Sequence, residues 1–130
     1  MQRYVKGARN ERELLNMFVK SKYSVMRAAG SGVNSLSPDI IAIKGNSMFA
    51  FECKAWNRGS IAIDIKRYES LLEWQKNTNM DTMIAWKTNG GTWKFIRLSD
   101  MSKKEKNYTI TKKEAAEKGL TMERLIFHQD

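Results

Sequence analysis

The stretch "GARNERELLNMFVK", residues 7–20, carries its apolar side chains at helical spacing. Leu14, Leu15, Phe18 and Val19 form one stripe, and Arg12, Asn16 and Lys20 fall on the opposite side. Glu11 lies three and four residues before Leu14 and Leu15, so the same period turns it toward the buried side. The pattern then changes. "YSVMRAA" (23–29) alternates and predicts a short strand, while "GSGVNSLSP" (30–38) is rich in Gly, Ser and Asn and predicts a loop. "DIIAIK" (39–44) and "SMFAFECK" (47–54) predict strands about a Gly45-Asn46 turn. A basic loop, "WNRGS" (56–60), separates them from a second predicted helix, "IDIKRYESLLEWQKNTN" (63–79). Along it Ile65, Tyr68, Leu72 and Gln75 run down one side, with Leu71 and Trp74 beside them.

"DTMIAWKT" (81–88) and "TWKFIRL" (92–98) predict two more strands joined through Asn89-Gly90-Gly91. "SKKEKN" (102–107) reads as a solvated charge run. In "TKKEAAEKG" (111–119), Thr111 and Glu114 make a capping box and Gly119 a stop, and "TMERLI" adds a last helical turn. The predicted order is αβββαββ plus short C-terminal helices. No repeat or Pro-rich linker divides the chain, so residues 1–130 are expected to form a single domain.

Composition narrows the function. No apolar run approaches membrane-spanning length, and the first residues lack the apolar stretch of a signal peptide. An intracellular, cytoplasmic protein is expected, from a cell or a virus-infected host. The single cysteine, Cys53, has no intrachain disulfide partner, and no Cys/His spacing suggests zinc. The single histidine, His128, lies in the tail, which disfavours a Ser/His/Asp or Cys/His nucleophilic site. Lys and Arg number 23 against 14 Asp and Glu, a net charge of +9. That surplus points to a polyanion, with nucleic acid ahead of an anionic membrane.

The predicted hairpin places charge beside strongly apolar runs. Side chains alternate along a strand, so Glu52 and Lys54 share one face while Phe51 and Cys53 take the other. With Gly45-Asn46 as a two-residue turn, Lys44 pairs with Ser47 and Asp39 falls directly opposite Glu52. Opposed Cβ atoms stand roughly 4.5–5.5 Å apart. An Asn46-Ser47 turn would instead set Asp39 opposite Lys54, on the same face, and a three-residue turn would break the parity. Two adjacent carboxylates repel and raise each other's pKa unless a cation neutralises them. A hard divalent ion does this, and it polarises phosphodiesters and acidifies bound water. Lys54 would orient that water or stabilise phosphate charge, and Glu11 is the natural third carboxylate. The bland reading is an Asp at a strand start after Pro38, with an exposed Glu/Lys pair on a solvated face. An isolated D…ExK would favour it. Strongly apolar strands with charges only at their ends, and an acidic site on a basic chain, weigh the other way.

These residues resemble a known family. Pro38-Asp39 followed by Glu52-Cys53-Lys54 is the PD-(D/E)xK nuclease pattern. Together with "KGARNEREL" (6–14), "VMRAAGSG" (25–32), "SPDIIAIKG" (37–45), "FECKA" (51–55) and "WKFI" (93–96), the chain resembles an archaeal-type Holliday junction resolvase over nearly its whole length. The resemblance implies an α/β, restriction-endonuclease-like fold with a central mixed β-sheet flanked by helices. It implies a homodimer acting on four-way DNA junctions with Mg²⁺ or Mn²⁺. By position, Asp39 and Glu52 would be metal ligands and Lys54 the catalytic lysine. Glu11 matches the helix glutamate near the metal, and Ser31 the serine of a mobile loop near the cleaved strand. The Cys53 backbone carbonyl would also face the metal.

A junction enzyme needs phosphate contacts more than base contacts, because its target is a shape. Candidates flanking the site are Arg3, Lys6, Arg9 and Arg12 on the first helix, Arg27 before the loop, and Arg58, Lys66 and Arg67 after the motif. Gly30, Ser31 and Gly32 would let the loop approach a backbone closely. Symmetric nicks suit a twofold dimer. Tyr68, Trp74, Trp86, Trp93 and Phe95 exceed what a small core obviously needs, and Trp74 is the first candidate for a dimer contact. Rival readings are another PD-(D/E)xK nuclease acting on flaps or duplex, or an idle DNA-binding module. No helix has the amphipathic pattern of a membrane-surface protein.

Overall fold

The computed structural model describes residues 2–28, 36–55, 58–88 and 92–127. Helix α1 (Gln2–Lys20) is followed by strands β1 (Ser24–Arg27), β2 (Ile40–Lys44) and β3 (Ser47–Lys54). Strand β4 (Ser60–Asp64) runs straight into helix α2 (Ile65–Thr78), and β5 (Asp81–Lys87) and β6 (Trp93–Arg97) come next. A 3-10 turn (Leu98–Asp100) leads to β7 (Ser102–Lys103), β8 (Asn107–Thr111), α3 (Lys112–Lys118) and α4 (Met122–Phe127).

Five strands form a mixed sheet in the order β1-β2-β3-β5-β6. Only β3 and β5 pair in parallel, which requires a crossover between them; α2 belongs to that crossover. Both faces of the sheet are covered, so its central strands need no polar alternation. Residues 82–86 of β5 are all buried. On one face lie Leu14 and Phe18 of α1 and Leu125 of α4, against Phe49, Phe51 and Phe95. The Phe18 and Phe51 rings stand 5.3 Å apart. On the other face, Tyr68 and Leu71 of α2 pack with Ile84, Trp86 and Ile96. The Tyr68 hydroxyl donates to the Leu98 carbonyl at 2.7 Å.

The second face is also covered by a small antiparallel sheet, β4-β8-β7, that the apolar pattern did not predict. Ile61 and Ile63 alternate inward from β4 and meet Ile110 of β8. The helical spacing of 63–79 ran through that alternation and hid it. Asp64 marks the true start of α2, its carboxylate accepting the Arg67 N–H at 2.8 Å as an N-cap. The expected charge run at 102–107 likewise contains β7 and the first residue of β8.

Two apolar stripes also shift. Leu71, not Leu72, is the buried leucine of α2, and Val19 of α1 is half exposed. The expected capping box at Thr111 and Glu114 is present. Gly119 ends α3, but not through a left-handed conformation, since its φ is −71°. A Cβ there would lie 2.5 Å from the Ala115 carbonyl oxygen and 2.9 Å from Ile96 Cδ1. Close packing of α3 on β6 is what requires the glycine.

Candidate active site

The site grows from the β2–β3 hairpin. Its turn has positive φ at Gly45 alone of its two central residues, at 60°, the pattern of a type II′ turn, which matches the twist of the strands it joins. Lys44 pairs with Ser47 and Ile40 with Phe51. One residue further out, the Asp39 N–H donates to the Phe51 carbonyl at 2.9 Å. The two-residue turn is therefore the one adopted; the ladder ends at Ile40–Phe51, and Asp39 lies just beyond it, its carboxylate near enough to Glu52 to feel that charge. In the β3–β5 pairing, Glu52 lies beside Ile84 and Lys54 beside Trp86, both in the core under α2. Cys53 lies beside Ala85 and packs against the other core. Glu52 and Lys54 thus project toward α2, as alternation requires.

Asp39 is half-buried, and its Oδ2 accepts the Cys53 N–H at 2.9 Å. Its pKa is pushed up to about 6, first by burial and then by the charge of Glu52, with Glu11 adding to the rise. The Cys53 N–H and the Arg67 guanidinium oppose that shift without cancelling it. Burial and the same carboxylates hold the Cys53 thiol well above its ordinary range, so it is not a thiolate nucleophile.

Glu52 is buried, and its Oε1 accepts from Arg67 Nη2 at 2.5 Å. The same nitrogen donates to the Ser37 carbonyl at 2.9 Å. Arg67, expected among the phosphate contacts, pairs in this structure with Glu52, and its side chain is 19% exposed. Once Asp64 is recognised as the N-cap, Arg67 falls in the first turn of α2, and that was the signal available for it. Glu11 is half-buried on α1, where its Oε1 accepts from Arg27 Nε at 2.7 Å. Arg27 is thus bound to a carboxylate of the cluster. Lys54 is half-buried on the same face as Glu52.

Among the described residues, no three carboxylate, imidazole or thiol groups stand close enough to cage an ion. Two carboxylates with water completing the shell is nevertheless how Mg²⁺ is usually bound. The Asp39 carboxylate accepts the Cys53 N–H on one oxygen and lies near the Glu52 carboxylate, so a cation between them would relieve both burial and repulsion. The hard oxygen pair therefore fits such an ion.

Arg9, Arg12, Arg58 and Lys66 are exposed. Arg9 and Arg12 border a shallow groove on α1 with Asn16 and Lys20. Arg3 and Lys6 belong to α1, but their side chains lie outside the described residues, as do Gly30, Ser31 and Gly32. Tyr68, Trp86, Trp93 and Phe95 are buried, whereas Trp74 is only half-buried, its indole N–H held by Met80 Sδ at 3.4 Å.

Sequence reasoning did not single out Glu13. Its carboxylate accepts from Lys87 Nζ at 2.8 Å on both oxygens and from Trp93 Nε1 at 3.0 Å. These bonds lower its pKa, and they tie α1, the helix carrying Glu11, to β5 and β6. Its place beside Glu11 in the E-R-E triplet was the only hint.

Known proteins share this sequence pattern and fold. Over residues 2–129 the chain matches the family model described as archaeal Holliday junction resolvase (Hjc). It is 30% identical to the crossover junction endodeoxyribonuclease Hjc of Archaeoglobus fulgidus, covering 81% of this chain and 78% of the relative. It is 33% identical to the enzyme of that name from Methanocaldococcus jannaschii, over 83% and 77%. For the Sulfolobus acidocaldarius enzyme the identity is 26% over 97% and 90%. The crystal structure of Archaeoglobus fulgidus Hjc, a Holliday junction resolvase, superposes with a TM-score of 0.83 at 26% identity, covering 92% of this chain and 94% of that one. The neighbouring Asp39 and Glu52 thus sit in a fold whose match runs almost end to end, and the chain belongs to the archaeal Holliday junction resolvase family.

Proposed function

We propose that this protein is a structure-selective endonuclease that resolves four-way DNA junctions by paired, metal-dependent phosphodiester hydrolysis. The observation that supports the reading is the closeness of the Asp39 and Glu52 carboxylates at the end of the β2–β3 hairpin, with Lys54 two residues beyond Glu52 on the same face of β3, in a chain of this family. Asp39, Glu52 and the Cys53 carbonyl would hold a Mg²⁺ or Mn²⁺ ion, with Glu11 near it. Such an ion supplies Lewis acidity to the scissile phosphate and lowers the pKa of an attacking water. Lys54 orients that water or offsets charge developing on the phosphate. Buried walls around Glu52 strengthen each of these interactions relative to bulk water. Ser31 is proposed, from family likeness, to act near the cleaved strand.

The basic side chains bind the junction through phosphates, which makes affinity steeply salt-dependent. Arg9 and Arg12 on the exposed side of α1, with Arg58 and Lys66, are the contacts their exposure supports. Arg3, Lys6 and the Gly30–Gly32 loop complete the proposed surface. Two symmetric nicks call for a homodimer with one site per subunit. Of Tyr68, Trp74, Trp86, Trp93 and Phe95, Trp74 is the one that is not buried, and it is the proposed dimer contact. Among the described residues no helix is long and apolar enough to cross a membrane.

The test is cleavage of a labelled synthetic four-way junction against its linear arm, with Mg²⁺ or EDTA, for wild type and Asp39→Asn. Paired symmetric nicks in the junction alone, absent with EDTA or in the variant, are expected. Equal cutting of the linear arm would make the protein a general nuclease. Tight junction binding without cutting would make it a binding module.

A further inference from the structure

Glu52 is buried, yet it is not waiting empty for an ion. Arg67 Nη2 sits on its Oε1 and simultaneously on the Ser37 carbonyl, two residues before Asp39. The backbone from which Arg67 reaches is itself fixed, because its N–H is held by the Asp64 cap at 2.8 Å. The guanidinium therefore clamps both halves of the carboxylate pair, β3 directly and the entry to β2 through Ser37. A guanidinium and a divalent cation on one carboxylate repel each other, and both want its lone pairs.

On the metal-site reading above, we propose that Arg67 is a positioning residue that competes with the metal for Glu52. Without DNA it holds Glu52 in place and keeps the ion loosely bound. A junction phosphate draws the guanidinium away, since Arg pairs with phosphate as readily as with carboxylate. DNA and metal then bind cooperatively, and the protein is a poor metal binder until a substrate arrives. By linkage, metal must tighten junction binding by the same factor.

The experiment is titration of Mn²⁺, followed by electron paramagnetic resonance, into wild type, Arg67→Gln and Asp39→Asn without DNA. A Ca²⁺ titration in the presence of the four-way junction accompanies it. Removing the competing charge should tighten Mn²⁺ binding without DNA by about tenfold or more, a modest share of what a buried ion pair is worth. The gain in Ca²⁺ affinity on adding junction should be large for wild type and small for Arg67→Gln. Asp39→Asn should lose the site.

Equal Mn²⁺ affinity in wild type and Arg67→Gln overturns the competition while leaving the metal site intact. Weaker binding in a folded Arg67→Gln, shown by its circular dichroism, also overturns it, because Arg67 would then only orient Glu52. Mn²⁺ binding by none of the proteins, or binding unaffected by Asp39→Asn, overturns the metal-site reading itself and this inference with it. Should Arg67→Gln fail to fold, Arg67→Lys takes its place. The charge and the reach to Ser37 are lost together only in a neutral residue, so where Arg67→Lys folds Arg67→Met is made as well; Arg67→Met should bind Mn²⁺ more tightly than wild type and than Arg67→Lys, and an affinity unchanged from wild type refutes the proposal.

Discussion

Asp39→Asn should stabilise the metal-free protein at neutral pH. The Asp39 pKa rises from 3.8 to about 6 on folding, because the carboxylate is half-buried beside Glu52. A raised folded pKa means that the native state binds the proton more tightly than the unfolded chain does. The resulting stabilisation is fully present below pH 3.8 and is lost as pH rises through about 6. A shift of this size corresponds to about 3 kcal/mol, and water's access to the half-buried group reduces it to about 2. Asparagine does not titrate, and its side-chain oxygen still accepts the Cys53 N–H. Urea unfolding of both proteins in EDTA, from pH 4 to 8, isolates the effect as their difference, since every other titrating group is common to both. The variant should gain about 2–3 kcal/mol relative to wild type across that window. A difference that stays flat with pH would refute the claim that Asp39 is held against its preferred charge state.

Gly119→Ala should cost about 1–3 kcal/mol, because the added Cβ meets the Ala115 carbonyl and Ile96, and backbone there cannot yield cheaply; thermal unfolding reads it, and an unchanged midpoint would contradict the packing account. Glu13→Ala removes the acceptor of the buried Trp93 N–H and of Lys87, and should cost about 1–3 kcal/mol in urea unfolding. It should also slow junction cleavage by letting α1 and Glu11 drift, and an unaltered rate would uncouple that anchor from the site. If the protein is the proposed homodimer, Trp74→Ala should shift it toward monomer in light scattering behind size-exclusion chromatography without unfolding the subunit; an undisturbed dimer would place the contact elsewhere, and a monomeric wild type would refute the dimer.

The hairpin was legible because its information is local. Gly45-Asn46 fixes the turn and the turn fixes the register as far as Ile40 and Phe51, which leaves Asp39 just beyond the ladder and near Glu52. The capping box at Thr111 was legible for the same reason. The small sheet was not. The pairing of β4 with β8 joins Asp64 to Asn107, and neither segment shows locally that it has a partner. In "IAIDIKRY", strand and helix periods overlap, and the Asp64 cap decides between them. The ion pair of Arg67 was not legible for a related reason. Its charge suggested solvent, whereas its partner here, Glu52, lies on another element and is buried. A basic residue beside an acidic cluster is ambiguous in sequence between substrate contact and site component, and only the position of the helix resolves it.

The β4–β8 pairing also bears on when this protein becomes active. Asp39, Glu52 and Lys54 are synthesised early, but the strand that buttresses β4, and so seats α2 over β3, is Asn107–Thr111. A chain still emerging from the ribosome holds all the proposed ligands, and Arg67 with them, before the strand that seats α2 over them has been made. The proposed cutting centre thus has its parts early and is completed only once β8 pairs with β4.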